Sequence, residues 1–435
     1  MADEEKFDCI VVGAGLAGIS AALTMAREGL EVVLLERGEY PGSKNVMGGI
    51  LFTQILNKLI PNFWETAPVE RHVTKRTFSL LSAKSEIAGS LNFRDFDAPP
   101  YNHSFTCLRS KFDRWYAEQA EAAGVNVFCE VVVDGLLKDG NRVVGVQARG
   151  DEGELHADCV ILADGANSLL ARDEGLHDEF EPKDMVVACK EVIALPEEVI
   201  LDRFHLEGNE GAALEYFADA VGGVVGSGFI YTNKDSLSVG LGLPVDASTA
   251  AKLKPYELLD RFKAHPCIRP LVRGGEVLEY AAHLIPEKGF RGLPPLFRDG
   301  LLLCGDAAGL VNTSIFHEGS CLAMASGVMA AETVIAAKKK GDWSSATMAD
   351  YDTKMRDSFV IKDLARFQRV PDFLHENPEF FGAYPDVILD LAQQYFTISE
   401  TPKAEIEKRI IGDFRKNIGL WNGMKAGFKL WRTFG

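Results

Sequence analysis

Between Phe7 and Arg37 the chain reads FDCIVVGAGLAGISAALTMAREGLEVVLLER, and no other stretch constrains the fold as tightly. A β-branched run, Asp8–Val12, gives way to an alanine-rich stretch in which Ile19, Leu23 and Ala26 recur at helical spacing. A second β-branched run, Glu31–Leu35, follows. Strand, turn, helix and strand in this order predict a βαβ unit and hence a parallel sheet. The turn carries G-x-G-x-x-G at Gly13, Gly15 and Gly18. The first glycine permits the tight turn, the second lets a pyrophosphate approach the backbone, and the third brings helix close to strand. The 18 uncharged residues Cys9–Ala26 are long enough to suggest a membrane span, but three glycines and the change of period argue against one.

The backbone from Gly13 through Ala14, Gly15, Leu16 and Ala17 to Gly18 would present free N–H groups to phosphate at a helix N-terminus. Glu36 closes the second strand 18 residues beyond Gly18. Its carboxylate can accept from both ribose hydroxyls and would repel a 2′-phosphate, so the ligand is FAD or NAD rather than NADP. Arg37 beside it is counted with the site.

Two later segments choose FAD. DCVILADGANS runs a strand into a turn at Asp164-Gly165, and GLLLCGDAAGL runs another into Gly305-Asp306, with Gly309 close behind. Asp306 can bind the ribityl chain. A helix is expected from Gly319-Ser320 to about Ala337, and its positive end would favour negative charge on the flavin. His317 and Glu318 lie just before it, either as proton donors or as ordinary caps. Only one dinucleotide fingerprint is visible and no CxxC follows the first helix, as befits an electron carrier whose FAD accepts two electrons and releases them singly.

Basic residues number 46 and acidic residues 63, a net charge of −17, which argues against nucleic acid as a partner. The opening MADEEK lacks the basic and apolar character of a secretory signal. The eight cysteines contain no ligand spacing for zinc or an iron–sulfur cluster and read as buried thiols of a cytoplasmic chain.

The fingerprint, acidic strand end and GD motif resemble the glutathione-reductase-type flavoproteins, in their hydroxylase-like branch. That resemblance implies an α/β chain with an FAD-binding Rossmann domain, and it makes Arg109 of LRSKFDRWYAEQA an FAD contact. Three further segments narrow it: LERGEYPGSKNVMGGIL, PCIRPLVRGGEVLEYAAHLIPEKGF and SFVIKDLARFQRVPDFLHENPEFFGAYPD. These resemble the electron-transfer-flavoprotein–quinone oxidoreductase family, with length and tail like its FixC branch. The resemblance implies electrons received from an electron transfer flavoprotein and delivered to quinone at the membrane. It also implies an electron-bifurcating assembly with two flavoprotein subunits and a small ferredoxin-like iron–sulfur subunit, oxidising NADH and reducing a low-potential carrier as well. By it Ser43, Lys44 and Asn45 lie against the flavin, Gly48 and Gly49 let backbone approach the ring, and Val132 joins the site. The C-terminal iron–sulfur domain of the single-chain quinone oxidoreductases has no counterpart in the cysteines here, so any cluster would come from the separate subunit. The rival is a stand-alone flavoenzyme of the geranylgeranyl-reductase or hydroxylase kind acting on a small apolar substrate.

The expected organisation has three parts. Residues 1–70, 106–181 and 291–345 form the FAD domain. Residues 71–105 and 182–290 form an inserted antiparallel sheet for substrate or quinone, and 346–435 form a helical C-terminal region. The last 22 residues hold five basic residues and no acidic one. Phe414, Ile418, Trp421, Phe428 and Trp431 fall on one helical face flanked by Lys425, Lys429 and Arg432. Such a face suits an anionic membrane surface, giving peripheral attachment to the inner side of the cell membrane, or else a partner subunit.

Overall fold

The computed structural model describes residues 6–45, 48–150, 153–419, 425, 428–429 and 432–433. The chain forms two compact units, Met1–Glu70 with Ala98–Met185 and Leu284–Gln368, and Arg71–Asp97 with Val186–His283 and Arg369–Gly435.

The first unit is built on the expected βαβ element. Strand β1 (Lys6–Val12), helix α1 (Leu16–Arg27) and strand β2 (Val32–Leu35) follow the change of hydrophobic period. Every residue of β2 is buried, as expected for a parallel strand covered on both faces. The sheet order is Phe297–Arg298, Leu301–Leu303, Glu154–Leu162, β1, β2, Asn126–Phe128. The five strands from Leu301–Leu303 to Asn126–Phe128 run parallel.

Helix Ser320–Lys340 crosses α1 so closely that a Cβ on Gly327 would collide with the Ala17 carbonyl oxygen. Among the described residues this is the one helix long and apolar enough to cross a membrane, but Leu322, Ala330 and Val334 are buried in the core of the first unit. Helices Ser345–Asp357 and Phe359–Arg366 also belong here, through Met348, Tyr351, Met355, Val360 and Leu364. The Tyr351 hydroxyl donates to the Leu303 carbonyl at 3.0 Å. The helical region therefore divides near Gln368 instead of standing as a third part.

In the second unit the strands run in the order Glu276–Pro286, Met185–Ala194, Ser236–Pro244, Ser227–Thr232, Glu210–Ala218, Val69–Leu81, with Glu86–Asn92 beside the last. The sheet is mixed where an antiparallel one was expected. Glu210–Ala218 runs parallel to Val69–Leu81, because a long connection frees that pair from hairpin geometry. Its core gathers Leu214, Tyr216, Ile230, Val239 and Leu241 against Phe204 and Phe262 of helices Glu197–Phe204 and Pro255–Ala264.

The expected tail helix is interrupted. Helix Lys403–Asn417 ends with Gly419 at φ +79°, whose N–H donates to the Phe414 carbonyl at 3.0 Å. Ile418 is buried, Phe414 is half-buried, and Lys425, Phe428, Lys429 and Arg432 are exposed. Trp421 and Trp431 lie outside the described residues.

Candidate functional site

Register assembles the site. In the parallel sheet Val12 pairs with both Leu35 and Leu162, Leu162 with Leu303, and Leu35 with Phe128. The strands therefore finish in line, and the residues that follow them stand together: Gly13, Glu36, Asp164 and Gly305. This carboxyl edge is where doubly wound sheets hold ligands.

The three fingerprint glycines divide by role. Gly13 has φ +105°, and a Cβ there would strike the Ala163 carbonyl. A Cβ on Gly18 would strike the Gly13 carbonyl. Gly15 is different: it has extended backbone, φ −89° and ψ −175°, and nothing lies within 4 Å of an added Cβ. The fold itself requires the first and third glycines. The second faces open space at the head of α1, whose first turn carries no acidic residue and whose cap makes no side-chain hydrogen bond. That is a place for a phosphate.

Glu36 is fixed from two sides. Ala14 N–H donates to Oε2 at 3.0 Å and Gly38 N–H to Oε1 at 2.7 Å. A carboxylate has about four acceptor positions, so further lone pairs remain for ribose hydroxyls. Val131 N–H donates to the Glu36 carbonyl at 3.0 Å, which brings the segment containing Val132 alongside; the Val132 carbonyl itself accepts from Arg149 N–H at 2.8 Å. Arg37 is exposed, near enough to Asp164 to favour its charge. Burial nevertheless pushes the Asp164 carboxyl up to about 6, against the Ser168 hydroxyl that donates to it at 3.0 Å. Gly165 turns the chain there at φ +82°.

Gly305 follows Leu301–Leu303 at φ +64°, packs on Ala17 and donates its N–H to the Ser326 hydroxyl at 3.0 Å. Asp306 is half-buried and adds to the field that holds Arg109 charged. Gly309 turns at φ +67°. Gly319 caps Ser320–Lys340, another helix whose first turn has no acidic residue, and the Ser320 hydroxyl accepts from Phe52 N–H at 3.4 Å. Glu318 is tied to Asn312, whose amide group donates to its carboxylate at 3.1 Å, while His317 is exposed at φ +49°.

Strand Gly48–Phe52 pairs with Ser104–Leu108, setting Gly48 opposite Leu108 and Gly49 opposite Cys107, next to Arg109. Burial alone would lower the Arg109 guanidinium, but its ion pair with Asp113 outweighs that and raises it. Of the 43–45 segment, Lys44 is exposed and Asn45 donates to Asp113 at 2.9 Å. The Ser43 hydroxyl is buried with no hydrogen-bond partner among the described residues. An orphaned hydroxyl, an open glycine and two uncapped helix heads fit a dinucleotide whose phosphates and ring supply the missing partners. Sequence reasoning passed over Asp113, Gly42 and Ser326; the i, i+4 spacing of Arg109 and Asp113 was the one available signal.

Fold and site together define an FAD-dependent oxidoreductase, and two family descriptions of that name match residues 8–173 and 101–333. The ETF-QO/FixC family C-terminal domain matches residues 370–435. A protein FixC from Bradyrhizobium diazoefficiens is 44% identical over 97% of each chain. A probable electron transfer flavoprotein-quinone oxidoreductase, YdiS of Escherichia coli, is 45% identical over 98% of each. The chain belongs to the ETF-QO/FixC family. Among solved structures, a geranylgeranyl bacteriochlorophyll reductase-like protein from Thermoplasma acidophilum shares the fold, with TM-score 0.70 and 21% identity over 95% of this chain and 97% of that one.

Proposed function

We propose that this oxidoreductase takes electrons from an electron transfer flavoprotein and passes them to membrane quinone. In this reading it is one subunit of an assembly that includes two flavoprotein chains and a small ferredoxin-like iron–sulfur chain, and that oxidises NADH by electron bifurcation, reducing a low-potential carrier as well. The observation that carries the reading is the near full-length match to the FixC and quinone-oxidoreductase relatives. Bound FAD would supply the exchange between electron pairs and single electrons. The chain's own part is positional. The α1 amides hold phosphate, Glu36 holds ribose, and Arg109 with the 43–45 segment addresses the pyrophosphate and ring.

Delivery to quinone requires a membrane surface. Exposed Phe396, Ile398 and Phe428, together with Lys425, Lys429 and Arg432, support peripheral attachment to the inner face of the cell membrane through the C-terminal region. The test is anaerobic reconstitution. The partner flavoprotein, reduced by NADH, should bleach the FAD absorbance of this chain, and a short-chain quinone should restore it. FAD that stays oxidised in the presence of the reduced partner refutes the electron route. Deleting Phe414 to Gly435 should release the protein from anionic liposomes with FAD retained; unchanged liposome binding refutes the membrane assignment.

A further inference from the structure

Asp113 is fully buried on helix Arg109–Ala122. Both of its oxygens are occupied. Oδ1 accepts from Arg109 Nε, and Oδ2 accepts from Arg109 Nη2 at 2.7 Å and from Asn45 Nδ2 at 2.9 Å. A further contact is steric: Gly42, at φ +92°, rests on the Arg109 carbonyl and Asp113 Cβ so closely that a Cβ would lie 2.5 and 2.9 Å from them. One carboxylate thus joins Arg109 to a loop residue, Asn45, 68 positions away in the chain.

We propose that Asp113 is a positioning residue that couples the two ends of the FAD site, so that dinucleotide affinity and the electronic environment of the flavin are set together. It does so in two ways. The bidentate pair fixes the plane of the Arg109 guanidinium, leaving its remaining N–H groups to point at phosphate. The same oxygen that holds Nη2 also fixes the Asn45 amide, so movement of either partner is felt by the other. An amide in place of the carboxylate can keep its oxygen on Nη2 and Asn45 only by turning its NH2 against the Arg109 Nε–H, and it carries no charge to hold the guanidinium. The inference rests on FAD lying at this edge.

The test uses the full chain stripped of FAD and titrated with it. In Asp113→Asn, the FAD dissociation constant should rise about tenfold to a hundredfold, the range for losing a charge-assisted hydrogen bond. The visible flavin band and the midpoint potential of the bound FAD should shift with it. Arg109→Gln alone should reproduce much of the loss, and the double variant should lose little more than the larger single one. Gly42→Ala, which removes no polar group, should move the flavin band in the same sense by lifting the loop from the helix; it also serves if Asp113→Asn does not fold. Asp113→Asn that melts at lower temperature yet keeps the wild-type band, potential and affinity overturns the proposal, as do additive losses in the double variant. An unsubstituted chain that binds no FAD would instead refute the cofactor site itself.

Discussion

The division of labour among the three fingerprint glycines makes the sharpest prediction. Gly15→Val grows its side chain from a Cβ position with nothing within 4 Å, on extended backbone that a β-branched residue adopts readily. The cofactor-free chain should keep its stability to within about 0.5 kcal/mol. The added atoms occupy the space through which a pyrophosphate reaches the α1 amides, so FAD binding should be lost. FAD at a hundred times its dissociation constant stabilises a protein by about 2.7 kcal/mol. At roughly 2 °C per kcal/mol for a unit of this size, that raises the melting point by about 5 °C. Thermal melts of stripped protein with and without FAD should show that rise in the unsubstituted chain and none in Gly15→Val. Gly18→Ala is the contrast. Its Cβ meets the Gly13 carbonyl, an overpacking that costs about 1–3 kcal/mol, so its melting point should fall before any FAD is added. A Gly15→Val chain that keeps the full FAD-induced rise, or that melts as early as Gly18→Ala, refutes the reasoning.

Glu36→Ala removes the acceptor for ribose and frees the Ala14 and Gly38 amides; FAD affinity measured by fluorescence quenching should drop about tenfold to a hundredfold. Asp164 carries a pH signature. Its carboxyl sits at about 6 in the fold against an ordinary 3.8, so the native chain holds a proton that the unfolded chain has released, and the cofactor-free protein should lose stability as pH rises from about 4 to about 6. Asp164→Asn should make that loss of stability smaller in urea unfolding, the remainder falling to Glu287, which burial pushes up to about 7, and an unchanged slope assigns the pH dependence elsewhere. Gly327→Leu forces α1 and Ser320–Lys340 apart at Ala17 and should lower the melting temperature by several degrees even in saturating FAD, as differential scanning calorimetry would show.

What could be read from sequence alone follows from the range over which each feature is specified. The β1–α1–β2 unit is local: period, glycine spacing and the acidic strand end all fall within about thirty residues. Asp164 and Gly305 are distant, yet each ends an apolar strand, and parallel register brings such ends together without further information. The Ser345–Asp357 helix shows where local pattern stops. Met348, Tyr351 and Met355 mark an apolar face, but nothing in their spacing says which core receives it. The tail fails differently. Helical spacing links Phe414 and Ile418 to the residues beyond, but Gly419 takes a left-handed conformation that ends the helix, and counting apolar positions does not register that stop.

Asp113 is the instructive case. A charged residue on a helix beginning LRSKFDRW reads by spacing as part of a solvated face, even with Arg109, four residues before it, expected at the FAD. What buries it is the absence of a side chain at Gly42, which lets a turn close over the helix and carry Asn45 within hydrogen-bonding distance. Burial then makes the Arg109–Asp113 pair costly to break, because either partner alone would be a charge without solvent. The residues proposed to bind the dinucleotide directly thus lie in motifs. The one that holds them in place is specified by a glycine and an asparagine from a distant loop, and it becomes visible only when the three are seen together.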